Sequence, residues 1–310
     1  MKARPLDAFR QGLATQEGLR FPEPFFWTTE FLERVRDRDP DYRRHLLAGT
    51  IETLAAPPAA VRVVAEGDSW FHHPCIADVM DWLKRLGYAP YRSDAPGRHL
   101  ADMVREKVYL KLLADPDVKA VLLSGGGNDL IDWKGPEGAG RNPIFRNAGD
   151  SSVPRDWIEE GQLLAVLARL RELLGIFISD VRQARPRTPI IVHCYDRILP
   201  RRSGPLGAWL GLQMDTAGIP RDAQQLRNDV AAILIDRTND TYRSVAATER
   251  ITYVDLRDIV RGRSWDEIHP TGEAFGDIAQ KLAEHIPGLR RRRRARPTRG
   301  KGKRQRRPST

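Results

Sequence analysis

Val61-Arg62-Val63-Val64-Ala65-Glu66-Gly67-Asp68-Ser69 runs from a β-branched stretch into a glycine and a serine, and its first half sets the fold class. A short apolar run that stops at a turn residue reads as a buried strand. The pattern of Val61 to Ala65 recurs at Ala89 to Arg92, Ala120 to Leu123, Pro189 to His193 and Ile251 to Asp255. Between these runs apolar residues fall at helical spacing: Leu100, Val104, Val108 and Leu112; Leu163, Leu167, Leu170, Leu174, Phe177 and Val181; Leu226, Val230 and Ile233; Phe275, Ile278, Leu282 and Ile286. Parallel strands require crossovers, and these are normally helical. The alternation therefore predicts an α/β protein: a three-layer α/β/α sandwich, flavodoxin-like, around a five-stranded parallel sheet.

In such sheets ligands bind beyond the carboxyl ends of the strands. Ser69 follows the first predicted strand, Gly97 the second, Gly126-Gly127-Asn128-Asp129 the third, and Asp266-Glu267-Ile268-His269-Pro270 the fifth. All fall on one edge of the sheet. Two long segments, Ile131 to Pro154 and Arg197 to Pro220, leave the same edge and read as irregular loops of the kind that carry function. A second triplet, Gly149-Asp150-Ser151, follows no strand and is set aside.

These residue types are those that acyl transfer needs. A serine hydroxyl is a weak nucleophile until a base takes its proton and a carboxylate orients that base. His269 and Asp266, three apart in a turn, can face one another, with Pro270 and Thr271 beginning the next helix. Oxyanion donors are expected from the Ser69 N–H at a helix start, the Gly97 N–H and the Asn128 amide. The blocks, in this order and spacing, resemble the SGNH (GDSL-type) hydrolases over roughly residues 61 to 286. That resemblance implies Ser69 as nucleophile, His269 and Asp266 as its partners, Ser69, Gly97 and Asn128 as the oxyanion hole, and hydrolysis of a carboxylic ester without metal or cofactor. Trp70 stands where many members carry leucine and is expected to line or crowd the acyl pocket.

Other features are read on their own chemistry. His72 and His73 invite a metal reading, with His99 or Asp78 as further ligands, but adjacent histidines point in different directions and no metal site is expected. They are expected to border the pocket or cap a helix beginning near Cys75. His193, inside a strand, is expected to be a satisfied interior residue. Trp209, Leu210, Leu212 and Met214 form an apolar cluster read either as a lid or acyl-binding wall, with Trp209 and Met214 touching substrate, or as anchoring of the loop. Arg201 and Arg202 could meet an anionic group on the substrate. Cys75 and Cys194 are too few for a disulfide framework and read as packing residues.

The chain has 310 residues, 41% of them hydrophobic, enough to bury one large core. Residues 1–58 read as a helical amino-terminal extension, 59–288 as the hydrolase domain and 289–310 as a disordered Arg/Lys-rich tail. Arg290 to Thr310 holds twelve basic residues and no acidic one, so without it the net charge of +10 becomes −2. The tail is expected to bind nucleic acid or another anionic surface non-specifically, and this is the alternative function the sequence offers. Without aromatic residues it cannot stack bases. No apolar run is long enough to span a bilayer, and residues 1–7 lack a secretory signal pattern, which predicts a cytoplasmic protein. The ester itself is left open among short- to medium-chain esters, lysophospholipids or thioesters, and acetylated sugars.

Overall fold

The computed structural model describes residues 61–73, 76–135, 142–200 and 209–288. The amino-terminal extension, Cys75, Arg201, Arg202 and the basic tail lie outside them.

Five strands form one sheet: β1 Val61–Gly67, β2 Tyr88–Asp94, β3 Ala120–Ser124, β4 Ile190–His193 and β5 Thr252–Val254. All pairs are parallel, in the order β2-β1-β3-β4-β5, with Val63 opposite Ala120, Val121 opposite Ile190 and Ile191 opposite Thr252. This is the flavodoxin-like order, and the sandwich read from the sequence is the one observed. The central strands β3 and β4 are buried along their whole length, as their unbroken apolar runs require, whereas β2 is half-exposed. Pro90 is tolerated within β2 because that strand is an edge.

The helices are α1 Val79–Arg85, α2 Leu100–Glu106, α3 Val108–Leu112, α4 Gly127–Ile131, α5 Glu160–Ala184, α6 Leu210–Ala217, α7 Gln224–Glu249 and α8 Gly272–Ala283. α1 packs on α8, and α5 packs on α2 and α7, which covers both faces of the sheet. α5 buries the stripe from Leu163 to Val181, and α8 buries Phe275, Ile278 and Leu282, with Ile286 buried just beyond its end.

Four local expectations change. The stripe from Leu100 to Leu112 is two helices, because Lys107 adopts a left-handed conformation (φ 53°, ψ 33°) between them. Its ammonium and the Tyr109 hydroxyl both reach Asp180 on α5, at 3.0 and 2.8 Å, so tertiary bonds override helical continuity. On α7 the buried face runs through Val230, Ala231, Leu234, Ile235 and Thr238, leaving Leu226 and Ile233 only half-buried. The segment from Arg197 to Pro220 is not wholly irregular, since it contains α6. Finally, α1 begins at Val79 and not near Cys75: Asp78 caps it, accepting from the Asp81 N–H at 3.0 Å, while the Asp81 side chain accepts the Asp78 N–H.

Candidate active site

Beyond β1 the chain folds into a tight turn in which the Asp68 carbonyl accepts the N–H groups of Phe71 and His72, both at 3.0 Å. No helix starts at Ser69. The buried Asp68 carboxylate shapes the turn instead, its Oδ1 accepting from the Trp70 N–H at 3.1 Å and the Ser124 hydroxyl at 2.9 Å, and its Oδ2 from the Tyr195 hydroxyl. Burial pushes the Asp68 pKa up, and these hydrogen bonds pull it back. The Trp70 indole donates to the Ile268 carbonyl at 3.2 Å, tying this turn to the one that carries His269.

That second turn is built by Asp266. Its Oδ1 accepts the N–H groups of Ile268 and His269 at 2.8 and 2.7 Å, and its Oδ2 faces His269 Nδ1 at 2.6 Å. The Trp265 N–H donates to the His269 carbonyl at 2.9 Å, and Pro270 bridges to Ser264. Pro270 therefore stays outside α8, which Thr271 caps by accepting from the Ala274 N–H at 3.3 Å. With Nδ1 donating to the carboxylate, His269 Nε2 is an acceptor, and the Ser69 hydroxyl lies 2.8 Å from it. Ser69, Asp266 and His269 are 200 residues apart in sequence at most, yet they form one buried line of hydrogen bonds.

Gly97 (φ 74°) lies in the turn after β2. The buried Arg98 anchors this turn, its guanidinium 2.5 Å from Glu66 and 2.8 Å from Glu106. Asn128 donates one amide hydrogen to the Arg98 carbonyl at 2.9 Å, which leaves the second hydrogen of its NH₂ for another acceptor. Asp129 accepts the Leu100 and Ala101 N–H groups at 2.7 and 3.4 Å. The loop after β3 thus holds the loop after β2. Among the described residues, the backbone N–H groups of Ser69 and Gly97 donate to no protein acceptor.

A narrow apolar cleft adjoins Ser69. Its walls are Trp70, Leu130 and Ile131 of α4, Tyr195 and Ile198 beyond β4, Leu210 of α6, Leu234, Ile235 and Thr238 of α7, and Ile268. Met214 is fully buried and lies outside this lining, while Trp209 stands edge-on to the His269 ring with centroids 5.6 Å apart. Glu267, next to Asp266, is turned away from the histidine and accepts the Gly211 N–H at 2.6 Å, fastening α6 to the turn that carries His269. Its second oxygen is buried with no hydrogen-bond partner, and burial pushes its pKa up to about 7. The fully buried Arg227 holds the other side of α6 through Asp215 at 2.9 Å and the Gly211 carbonyl at 2.8 Å.

The remaining histidines divide. His72 pairs with Asp94 at 3.1 Å, and His99 with Asp132 at 3.2 Å. His73 packs edge-on against His269, its centroid 4.6 Å away, and burial, with the nearby His269 and His72, holds its imidazole well below the ordinary pKa. Its ligand atom lies within 4.8 Å of those of Asp266 and His269, the grouping among the described residues that metal chemistry could use. His73 Nδ1, however, accepts the Ile76 N–H at 3.3 Å, and both His269 nitrogens are engaged by Asp266 and Ser69. His193 is satisfied only at Nδ1, 2.9 Å from the Cys194 carbonyl; its buried Nε2 has no partner, and burial holds its pKa down at about 4. Ser151 of the second triplet donates to Asp156 at 2.6 Å, far from this chemistry in kind.

Sequence reasoning missed Glu267 and Tyr195 as neighbours of the site, whereas His73, expected to border the pocket, stands against His269. The rule that assembled the other residues, position beyond a strand's carboxyl end, also points to Tyr195 after β4.

The model of the GDSL-like lipase/acylhydrolase family matches residues 78–275, a span that includes Gly97, Asn128, Asp266 and His269 and begins after Ser69. No curated protein matches the chain. Among solved structures it is similar to an extracellular lipase from Streptomyces rimosus, at 12% identity and TM-score 0.47 over 73% of this chain and 99% of that one. It is also similar to a phospholipase A1 from Streptomyces albidoflavus NA297, at 18% identity and TM-score 0.44 over 73% and 99%. A G-D-S-L family lipolytic protein from Veillonella parvula matches at 14% identity and TM-score 0.42 over 74% and 100%. No helix among the described residues is long and apolar enough to cross a membrane.

Proposed function

Because the chain belongs to the GDSL-like lipase/acylhydrolase family and is thus a hydrolase acting on esters, we propose that Ser69 is its nucleophile and that the substrate carries an apolar acyl group. The observation that supports this best is the pair of bonds Asp266 Oδ2 to His269 Nδ1 at 2.6 Å and His269 Nε2 to Ser69 Oγ at 2.8 Å. Ser69 Oγ attacks the ester carbonyl carbon while its proton passes to His269 Nε2. Asp266 holds the imidazole in the required tautomer and stabilises the imidazolium that forms. The carbonyl oxygen, now negative, is met by the unpaired N–H groups of Ser69 and Gly97 and the second amide hydrogen of Asn128. His269 returns the proton to the departing alcohol. Water, deprotonated by the same nitrogen, then releases the acid from Ser69.

The lining of Leu130, Ile131, Ile198, Leu210 and Ile268 favours an alkyl chain over an acetylated sugar, since a hydroxyl placed there without a partner is penalised by about 1 to 3 kcal/mol. The test is a chain-length series of p-nitrophenyl esters hydrolysed by the wild type and by Ser69→Ala, with a chelator present. Rates should rise with acyl length to an optimum beyond acetate and vanish in the variant. Equal rates in the two proteins would overturn the serine mechanism, and loss of wild-type activity on chelation would revive a metal.

A further inference from the structure

The residue before Ser69 and the residue before Asn128 are held by the same hydroxyl. Tyr195, just beyond β4, donates to Asp68 Oδ2 and accepts the Gly127 N–H at 3.0 Å. One oxygen atom therefore joins the turn after β1 to the start of α4. We propose that Tyr195 is a positioning residue that sets the separation of the Ser69 and Asn128 oxyanion donors; the inference rests on the serine mechanism above.

Three further observations fit a strut and not ordinary packing. The Asp68 carboxylate is otherwise committed to the Ser69 turn and to Ser124, so the hydroxyl grips the nucleophile loop through a group that is itself fixed. Gly127 leaves room for the ring to approach: a Cβ there would lie 2.8 Å from Tyr195 Cζ and 3.1 Å from its oxygen. The ring itself is located from a third side, edge-on to Trp70 with centroids 5.1 Å apart, while its carbonyl accepts from Asn239 of α7 at 3.0 Å. Burial and the adjacent Asp68 hold the phenol well above its ordinary pKa, so it keeps its proton and remains a donor throughout the working range.

Positioning of this kind is realised in the transition state. The oxyanion needs donors within a few tenths of an ångström of their places, whereas a bound carboxylate product does not. In Tyr195→Phe both bonds are lost and the ring is kept. For an ester of the preferred acyl length, kcat should fall about 10- to 100-fold with KM nearly unchanged, the cost typical of a misplacement of about 1 Å. The inhibition constant of an alkylboronic acid that adds to Ser69 should rise by the same factor, and that of the matching free carboxylic acid should not. Should Tyr195→Phe fail to fold, Gly127→Ala presses on the same contact from the opposite side, and its kcat and boronic acid affinity should drop together in the same way. Ser69→Ala runs alongside: residual turnover in it would sink the serine mechanism itself. An inactive Ser69→Ala with a folded Tyr195→Phe of wild-type kcat and boronic acid affinity would overturn the role of Tyr195 alone. Equal losses of boronic acid and carboxylic acid affinity would assign Tyr195 to the cleft wall and likewise refute the proposal.

Discussion

Replacing Glu267 by glutamine should make the protein relatively more stable as the pH rises. Glu267 is 1% exposed, has one oxygen bonded to the Gly211 N–H and the other bonded to nothing, and burial pushes its pKa from 4.5 up to about 7. The folded state therefore binds this proton more tightly than the unfolded chain does. A raised carboxyl pKa stabilises the protein fully below the unfolded value, and that contribution is lost as the pH climbs through the folded value. The whole shift corresponds to about 3 kcal/mol at 1.36 kcal/mol per unit, of which about 2 to 3 kcal/mol falls between pH 5 and pH 8. The variant lacks the titration while its amide oxygen can still accept the Gly211 N–H. Urea denaturation of both proteins at pH 5, 6, 7 and 8 gives the difference in unfolding free energy at each pH. That difference should move in favour of Glu267→Gln by the stated amount with unchanged m-values. Glu66, whose pKa burial raises to about 8, is present in both proteins and cancels. A difference constant to about 0.5 kcal/mol over the range would refute the reasoning, because it would mean that the carboxyl ionises equally in both states.

Asn128→Ala removes a proposed oxyanion donor and the bond to the Arg98 carbonyl, and should lower kcat about 100- to 1,000-fold in steady-state assays with little change in melting temperature. Phe275→Ala on α8, fully buried and edge-on to Trp70, should cost about 3 to 5 kcal/mol of unfolding free energy by urea denaturation.

How much of this was legible in the sequence depends on the range over which each signal acts. Strand and helix positions follow from local periodicity, and the edge of the sheet on which Ser69, Asn128 and His269 meet follows from the handedness and helical crossovers of a parallel sheet. The break at Lys107 did not, because its cause is Asp180, 73 residues away on α5. Met214 illustrates a second limit. An apolar residue in a glycine- and proline-rich loop reads as a pocket wall, but α6 turns Met214 into the core and presents Leu210 to the cleft, a choice that depends on Glu267 and Arg227 gripping the helix from two sides. Ser69 was identified correctly as following β1 while its local structure was not, since Asp68 and not a helix fixes the turn.

The acidic residues of the motifs share a structural duty. Asp68 takes the Trp70 N–H, Asp129 the N–H groups of Leu100 and Ala101, Asp266 those of Ile268 and His269, and Glu267 that of Gly211. Asp196, beyond β4 and in no motif, does the same for Asp258 and Val260 at 2.9 and 2.6 Å. Loops at the edge of a parallel sheet carry backbone donors that no strand can satisfy, and a buried donor left unpaired costs about 1 to 3 kcal/mol. A short carboxylate meets two such donors at once, so acids gather wherever these loops must be rigid. Among these five only Asp266 also reaches an imidazole. Its neighbour Glu267, one residue on, can serve only as a clasp, because the turn that aims Asp266 at His269 sends the next side chain toward α6.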